Sequence, residues 1–180
     1  DSLDQYHCPY QGDVYYRGKF GMRRGRRHQG VDLPLKTGEP IRAAFTGKVR
    51  ISKYWGAYGN VVVIRHENGI ETFYAHLSER LVEADQWVNA GDVIGYMGHT
   101  GYSVEENVNN IEVTHLHWGM ELIFDEKRRE EGNEIWIDCY QLARFLYKNR
   151  CEVEKVGETK EWKRKYEMID AEVEAYQKKE

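Results

Sequence analysis

The sequence has little of what staples small secreted folds or carries a chain through a membrane. Its 180 residues contain three cysteines and three prolines. Cys8, Cys139 and Cys151 form no Cys-x-x-Cys pair, so a structural zinc held by cysteine is not indicated. The odd count leaves at least one thiol unpaired within the chain. Cys139 and Cys151 stand 12 residues apart in what reads as one helix, too far to bridge at about 1.5 Å per residue. A disulfide from Cys8 to either of them stays open. The longest apolar runs, such as Val61-Val62-Val63-Ile64, fall far short of the roughly 20 residues a spanning helix needs. No membrane span is expected. The chain opens on Asp1-Ser2-Leu3-Asp4 without a basic-then-apolar leader, and so reads as a trimmed or mature portion of something longer.

What is present suits one domain with an appendage. At this length a folded chain buries roughly 70% of the surface it exposes when unfolded, so a core forms without staples. The formal net charge is only -4, from 26 basic and 30 acidic residues, but the distribution is uneven. Residues 1–65 sum to +7, residues 66–135 to -11 and residues 136–180 to zero. The basic cluster Arg23, Arg24, Arg26 and Arg27 is the one feature that would draw nucleic acid. No aromatic-interleaved motif or recognition helix accompanies it, so a solvated loop is the better reading and no nucleic-acid partner is expected.

From about Val14 to Trp118 glycines punctuate short β-branched and aromatic runs, the grammar of strands. Lys48–Ile51 alternates, and Asn60–Arg65 reads as a buried strand. Glu67-Asn68-Gly69-Ile70 is a turn leading into Glu71–Ala75, and the two strands pair as a hairpin. Val93–Met97 and Thr114–Leu122 complete the set. The expected fold is mainly β, an antiparallel sheet core, with helices at the C-terminal end. One helix starts near Asp138, whose carboxylate serves as its N-cap. A second is suggested by Trp162, Tyr166, Ile169, Val173 and Tyr176, which recur at spacings of 4, 3, 4 and 3. This 162–176 stripe is a candidate surface for self-association, or else a frayed terminal helix.

Chemistry concentrates at histidine. In His28-Gln29-Gly30-Val31-Asp32 an imidazole and a carboxylate lie four residues apart; Gly30 and Pro34 argue against a helix, and an extended chain also brings such positions to one side. His115-Leu116-His117 on a strand points both rings to one face and Leu116 to the other. Two facing imidazoles are costly in a core because each has two ring nitrogens to satisfy. A metal removes that cost. Two histidines and one carboxylate make a three-ligand set, the usual complement of a catalytic zinc that keeps an open position for water. His76, in Tyr74-Ala75-His76-Leu77-Ser78, follows a predicted strand, where a loop turns its ring toward the site. His66 at a strand end and His99 in a glycine-flanked loop read first as ordinary polar residues, as does His7.

Six segments in order carry a resemblance: His28 with Gly30-Val31-Asp32, Gly59–His66, Tyr74–Ser78, Ala90–Gly95, Gly98–Ser103 and His115–Trp118. Together they resemble the lysostaphin-type, or LytM-like, zinc metallopeptidases. The resemblance implies an antiparallel β core crossed by a groove, one zinc ion per chain, and hydrolysis of peptide bonds in the peptidoglycan of bacterial cell walls, outside the cytoplasm. It implies His28, Asp32 and His117 as metal ligands, and His115 and His76 as unligated active-site histidines. His115 would be the general base and His76 would hydrogen-bond the attacking water or the tetrahedral intermediate. Non-catalytic relatives lose one or more of these five positions; a silent module that docks cell-wall peptides or a partner is therefore the alternative, and the full set favours the enzyme.

Two departures stand out. Residues 104–113, Val-Glu-Glu-Asn-Val-Asn-Asn-Ile-Glu-Val, form a longer and more acidic insertion than the pattern has, at the expected groove edge. Some members supply a tyrosine six residues before the first ligand; Met22 stands there, and Tyr16, Tyr54, Tyr58 or Tyr102 are the candidates to replace it. The expected organisation is a metallopeptidase domain over 1–150, with its core motifs in 20–121, and a charged, amphipathic helical extension over 151–180. The charge division places His28 and Asp32 in the basic segment and His76, His115 and His117 in the acidic one, so groove walls of opposite sign are expected.

Overall fold

The computed structural model describes Pro9 and residues 21–23, 26–148, 153–158 and 162–165. The strands are β1 (Gly21–Arg23), β2 (Arg26–His28), β3 (Val31–Pro34), β4 (Pro40–Arg42), β5 (Gly47–Tyr54), β6 (Asn60–Arg65), β7 (Ile70–Arg80), β8 (Trp87–Val88), β9 (Val93–Met97), β10 (His115–Ile123), β11 (Glu134–Trp136), β12 (Val153–Lys155) and β13 (Trp162–Arg164). One helix, α1 (Tyr140–Lys148), follows β11.

A nine-stranded antiparallel sheet forms the body. Its main path runs β11-β10-β7-β6-β5-β8, with β3 on β10, β9 on β7 and β4 on β9. The expected hairpin is β6–β7, closed by a 3₁₀ turn at Glu67–Gly69, with Arg65 opposite Glu71. Alternation along β6 explains why the sheet has two apolar faces. Val62 and Ile64 join Val31, Leu33, Tyr74, Leu116 and Trp118 in the main core, which α1 covers with Ala143 and Leu146. Val61 and Val63 join Phe73 and Ala75 on the opposite face, with Ile51, Tyr58 and Trp136 packed against them. A strand buried on both faces reads as a continuous apolar run, as Asn60–Arg65 does.

α1 begins where the sequence placed it. The Tyr140 N–H donates to the Asp138 carboxylate at 3.0 Å, which satisfies one of the orphan donors of the first turn. Cys139, buried beside it, carries a free thiol; burial pushes that thiol up to about 12, so it stays protonated and packs as a small apolar group. Cys8 and Cys151 lie outside the described residues.

Beyond α1 the chain departs from the expected helical extension. Residues 153–155 and 162–164 pair as an antiparallel ribbon, Val153 opposite Arg164 and Lys155 opposite Trp162. Glu154 lies opposite Lys163 between them, an extended pairing that a 3.6-residue reading of the stripe passes over. Tyr166, Ile169, Val173 and Tyr176 lie outside the described residues. Among the described residues, no helix is long and apolar enough to cross a membrane.

The two oppositely charged segments meet within the sheet. There Glu71 lies directly opposite Glu121, and arginines from both segments surround this carboxyl pair. Arg50 and Arg65 reach Glu71 at 2.8 Å each, and Arg129 reaches Glu71 and Glu121 at 2.9 Å. Arg129 sits in the 3₁₀ stretch Glu126–Glu131, so this network fastens the β10–β11 connection onto the sheet.

Candidate metal centre and active site

Topology alone brings the three candidate ligands together. β3 and β10 pair in antiparallel register with Asp32 directly opposite His117, so both side chains leave the same face of the sheet. His28 ends β2, and the short Gln29-Gly30 link turns the chain into β3. The His28 Nε2 lies 3.0 Å from Asp32 Oδ1 and 3.2 Å from His117 Nδ1, and His117 Nδ1 lies 3.1 Å from the same Asp32 oxygen. These three donor atoms form a nearly equilateral triangle. A tetrahedral zinc, with ligands at about 2.0–2.1 Å, holds its donors about 3.3 Å apart, so the residues present fit such an ion with shifts of a few tenths of an ångström. They are the one His/Cys/Asp/Glu group of metal-binding geometry among the described residues.

Electrostatics favour the ligand form of Asp32 and His117. Burial pushes the Asp32 carboxyl up, but hydrogen bonds to His117 and His28 and the closeness of the His117 and His115 rings outweigh it and hold the group well below the usual carboxylate range. Burial pushes His117 down, which keeps its ring neutral with a lone pair to offer. Gly30 makes room for that ring: a Cβ there would lie 2.7 Å from the Trp118 carbonyl oxygen and 2.9 Å from His117 Cε1.

The other two histidines close the site. His115 and His76 rings are 4.9 Å apart, and His76 lies 6.2 Å from His117. His115 Nε2 is 3.6 Å from Asp32 Oδ1. Leu116 between the pair is fully buried in the main core, as the strand alternation requires. His76 is not in a loop after a strand; it lies inside β7 with φ 63°. Regular alternation would send its ring to the face of Tyr74. The left-handed backbone breaks the alternation and brings the imidazole to His115 and His117, a sparsely populated conformation for a non-glycine residue of the kind that clusters at working sites.

Both rings are fixed by one type of contact. His76 Nδ1 lies 2.8 Å from the Thr100 carbonyl oxygen and His115 Nδ1 lies 2.7 Å from that of Val113. A carbonyl only accepts, so in each ring Nδ1 carries the proton and, in the neutral form, Nε2 carries the lone pair. Burial, helped by the neighbouring His115 and His117 rings, pushes His76 down to about 3. His76 is therefore neutral at any ordinary pH.

Sequence reasoning did not find Thr100, whose buried hydroxyl also donates to the Leu77 carbonyl at 2.7 Å and accepts from the Asn60 N–H at 3.0 Å. Its one signal was the glycine on either side of His99-Thr100. Gly101, at φ 135°, has no room for a Cβ, which would fall 2.5 Å from the Ala57 carbonyl and 3.2 Å from His76 Nδ1.

Of the tyrosine candidates, Tyr58 is the one brought to the site, its ring 5.6 Å from His117 and 5.0 Å from Phe73. Tyr54 spends its hydroxyl on the Ser103 carbonyl at 3.4 Å, Tyr102 is exposed at the rim, and Tyr16 lies outside the described residues. His66 stands apart, bonded through Nδ1 to the Thr46 carbonyl and through Nε2 to Thr72 Oγ1. His99 donates to the Ile111 carbonyl at 3.1 Å. His7 lies outside the described residues.

An antiparallel sheet presenting a His₂Asp donor triangle, with two tautomer-fixed imidazoles beside it, has the donor set and the free imidazoles that metal-assisted hydrolysis calls for. The profile of peptidase family M23 matches residues 26–147, and the chain belongs to that family. It is 46% identical over 78 residues to the DD-carboxypeptidase/endopeptidase Mpg of Neisseria meningitidis, and 43% identical over 76 residues to the peptidoglycan DD-endopeptidase ShyC of Vibrio cholerae. These matches cover 43% and 42% of this chain but only 18% of each relative. The fold is similar to that of a protein from Ruminococcus gnavus assigned as a glycyl-glycine endopeptidase, lytM, with a TM-score of 0.69 and 25% identity over 82% of this chain and 62% of that one.

Proposed function

We propose that this chain is a zinc-dependent endopeptidase that cuts peptide bonds in bacterial peptidoglycan, acting outside the cytoplasm, with residues 1–150 as the catalytic unit. The observation that carries the reading is the convergence of His28 Nε2, His117 Nδ1 and Asp32 Oδ1 within 3.2 Å of one another. The peptidoglycan DD-endopeptidase relative supports the substrate class.

His28, Asp32 and His117 would hold the zinc, which when bound lowers the pKa of a water to about 7 and polarises a carbonyl. His115 is the general base. Its Nε2 is the unprotonated nitrogen, and the imidazolium formed when it takes a proton lies 3.6 Å from the Asp32 carboxylate, which stabilises it. The same proton then passes from Nε2 to the leaving amine. His76 has a different task. Locked with its proton on Nδ1 and neutral, it accepts a hydrogen bond at Nε2 and orients the attacking water; it has no N–H there to donate to an oxyanion. Tyr58 is the nearby hydroxyl of suitable chemistry for that donation.

The test is mass analysis of fragments released from purified peptidoglycan of several chemotypes by the zinc-loaded protein. New pairs of amino and carboxyl termini at one bond type support the reading. Intact peptides from every chemotype, with the protein retained on the polymer, support the binding module instead.

A further inference from the structure

The 104–113 insertion is fastened to the His99–Gly101 segment beside the site. Its far end is fastened by two bonds, the Ile111 N–H to the His99 carbonyl at 3.0 Å and the His99 Nδ1–H to the Ile111 carbonyl at 3.1 Å. Ile111 itself is buried. Its middle is held where the Gly101 N–H donates to the Val108 carbonyl at 3.1 Å. Just before Val108, Asn107 takes φ 63°, a conformation asparagine adopts more readily than most residues. Asn107 is itself exposed, and its Oδ1 accepts from the buried Asn60 Nδ2 at 2.8 Å.

Asn60 leads directly to His76. It is 2% exposed and opposes Leu77 in the β6–β7 register. Its backbone N–H donates to Thr100 Oγ1 at 3.0 Å, that hydroxyl donates to the Leu77 carbonyl at 2.7 Å, and the Thr100 carbonyl accepts the His76 Nδ1–H at 2.8 Å. The other contact of the Asn60 amide nitrogen is the Ser78 carbonyl at 3.4 Å. Without Asn107, this buried amide keeps only that long contact. An under-satisfied buried donor costs about 1–3 kcal/mol, and losing this anchor also loosens the adjoining Val108, whose carbonyl accepts the N–H of the Thr100–Gly101 peptide that presents the Thr100 oxygen to His76.

We propose that Asn107 is a positioning residue: anchored on Asn60, it fixes Val108 and with it the Thr100–Gly101 peptide that holds the His76 imidazole in one tautomer and one orientation, so that the insertion forms part of the active-site support. The catalytic half of this inference rests on the peptidase reading above; the structural half does not. The carboxylates of Glu105, Glu106 and Glu112 play no part in it.

The variants are Asn107→Gly, which removes the side chain and tolerates the left-handed backbone, and Asn107→Asp, which keeps the acceptor. The measurement is histidine ¹⁵N–¹H NMR of the full chain loaded with zinc. It reads the His76 tautomer and the exchange of its Nδ1–H with water. In the wild type the proton is on Nδ1 and exchanges slowly; Asn107→Gly speeds exchange by about ten-fold or more, and Asn107→Asp restores it. With peptidoglycan as substrate, Asn107→Gly lowers kcat by about ten-fold while KM and zinc content stay within about two-fold. An unchanged tautomer and exchange rate in Asn107→Gly overturns the proposal, as does a loss of zinc that parallels the loss of rate. If exchange responds as expected but the wild type cuts no peptidoglycan, the positioning role stands and the peptidase reading falls.

Discussion

Asp32 and His117, 85 positions apart in the chain, are directly opposed partners of β3 and β10, and their side chains meet at 3.1 Å. The metal-binding geometry is thus set by strand register. A one-residue slip between these strands would send one of the two to the opposite face. Removing either imidazole of the triangle, as His28→Ala or His117→Ala, is expected to lower bound zinc from about one ion per chain to near zero after reconstitution and desalting. Elemental analysis checks it, and full retention in both variants would remove the site.

Gly30 offers a subtler test of the same triangle. A Cβ at this position meets the Trp118 carbonyl oxygen at 2.7 Å and the His117 ring at 2.9 Å, and a backbone oxygen does not move aside cheaply. Gly30→Ala should weaken zinc by about ten-fold or more, the range found when groups that orient a metal ligand are disturbed. Competition with a chromophoric chelator gives the affinity.

His115→Ala and His76→Ala should both keep the metal, since neither supplies one of the three converging donors. Loss of the base in His115→Ala should reduce hydrolysis by about 10²–10⁴-fold. For His76→Ala the expected loss is in kcat rather than KM, because a residue that orients the attacking water acts in the transition state. A His115→Ala protein with wild-type turnover would remove the assigned base.

The buried carboxylate pair predicts a pH dependence of stability away from the site. Burial pushes Glu121 up from 4.5 to about 7; bonding to Glu71 and the charge of Glu134 add to the rise, while Arg129 opposes it. The folded state therefore keeps a proton that the unfolded chain releases at lower pH, so stability falls as pH rises through that window. In zinc-free protein, Glu121→Gln should melt close to wild type at about pH 5 and above it at about pH 8. Parallel melting curves across this range would contradict the assignment.

How much of this was legible from the residues follows a physical line. Local patterns carried the β6–β7 hairpin, the Asp138 cap and the same-side placement of His115 and His117, because each depends on alternation or turn chemistry within a few residues. The left-handed His76 was not legible, since tertiary packing by Thr100 and Gly101 holds it there. The pairing of 153–155 with 162–164 was hidden by a helical spacing that begins at Trp162 and runs on through residues outside the described part. The meeting of Arg50 and Arg65 with Glu71 was concealed because segment totals say nothing about which strands become neighbours.

The most direct test of the central claim is the release of new amino groups from purified peptidoglycan by the wild type, with and without zinc, beside His115→Ala and His117→Ala. Zinc-dependent release by the wild type alone is the predicted result, with His115→Ala retaining zinc and His117→Ala losing it. Equal release by the zinc-free protein, or by a zinc-loaded His115→Ala protein, would contradict the account.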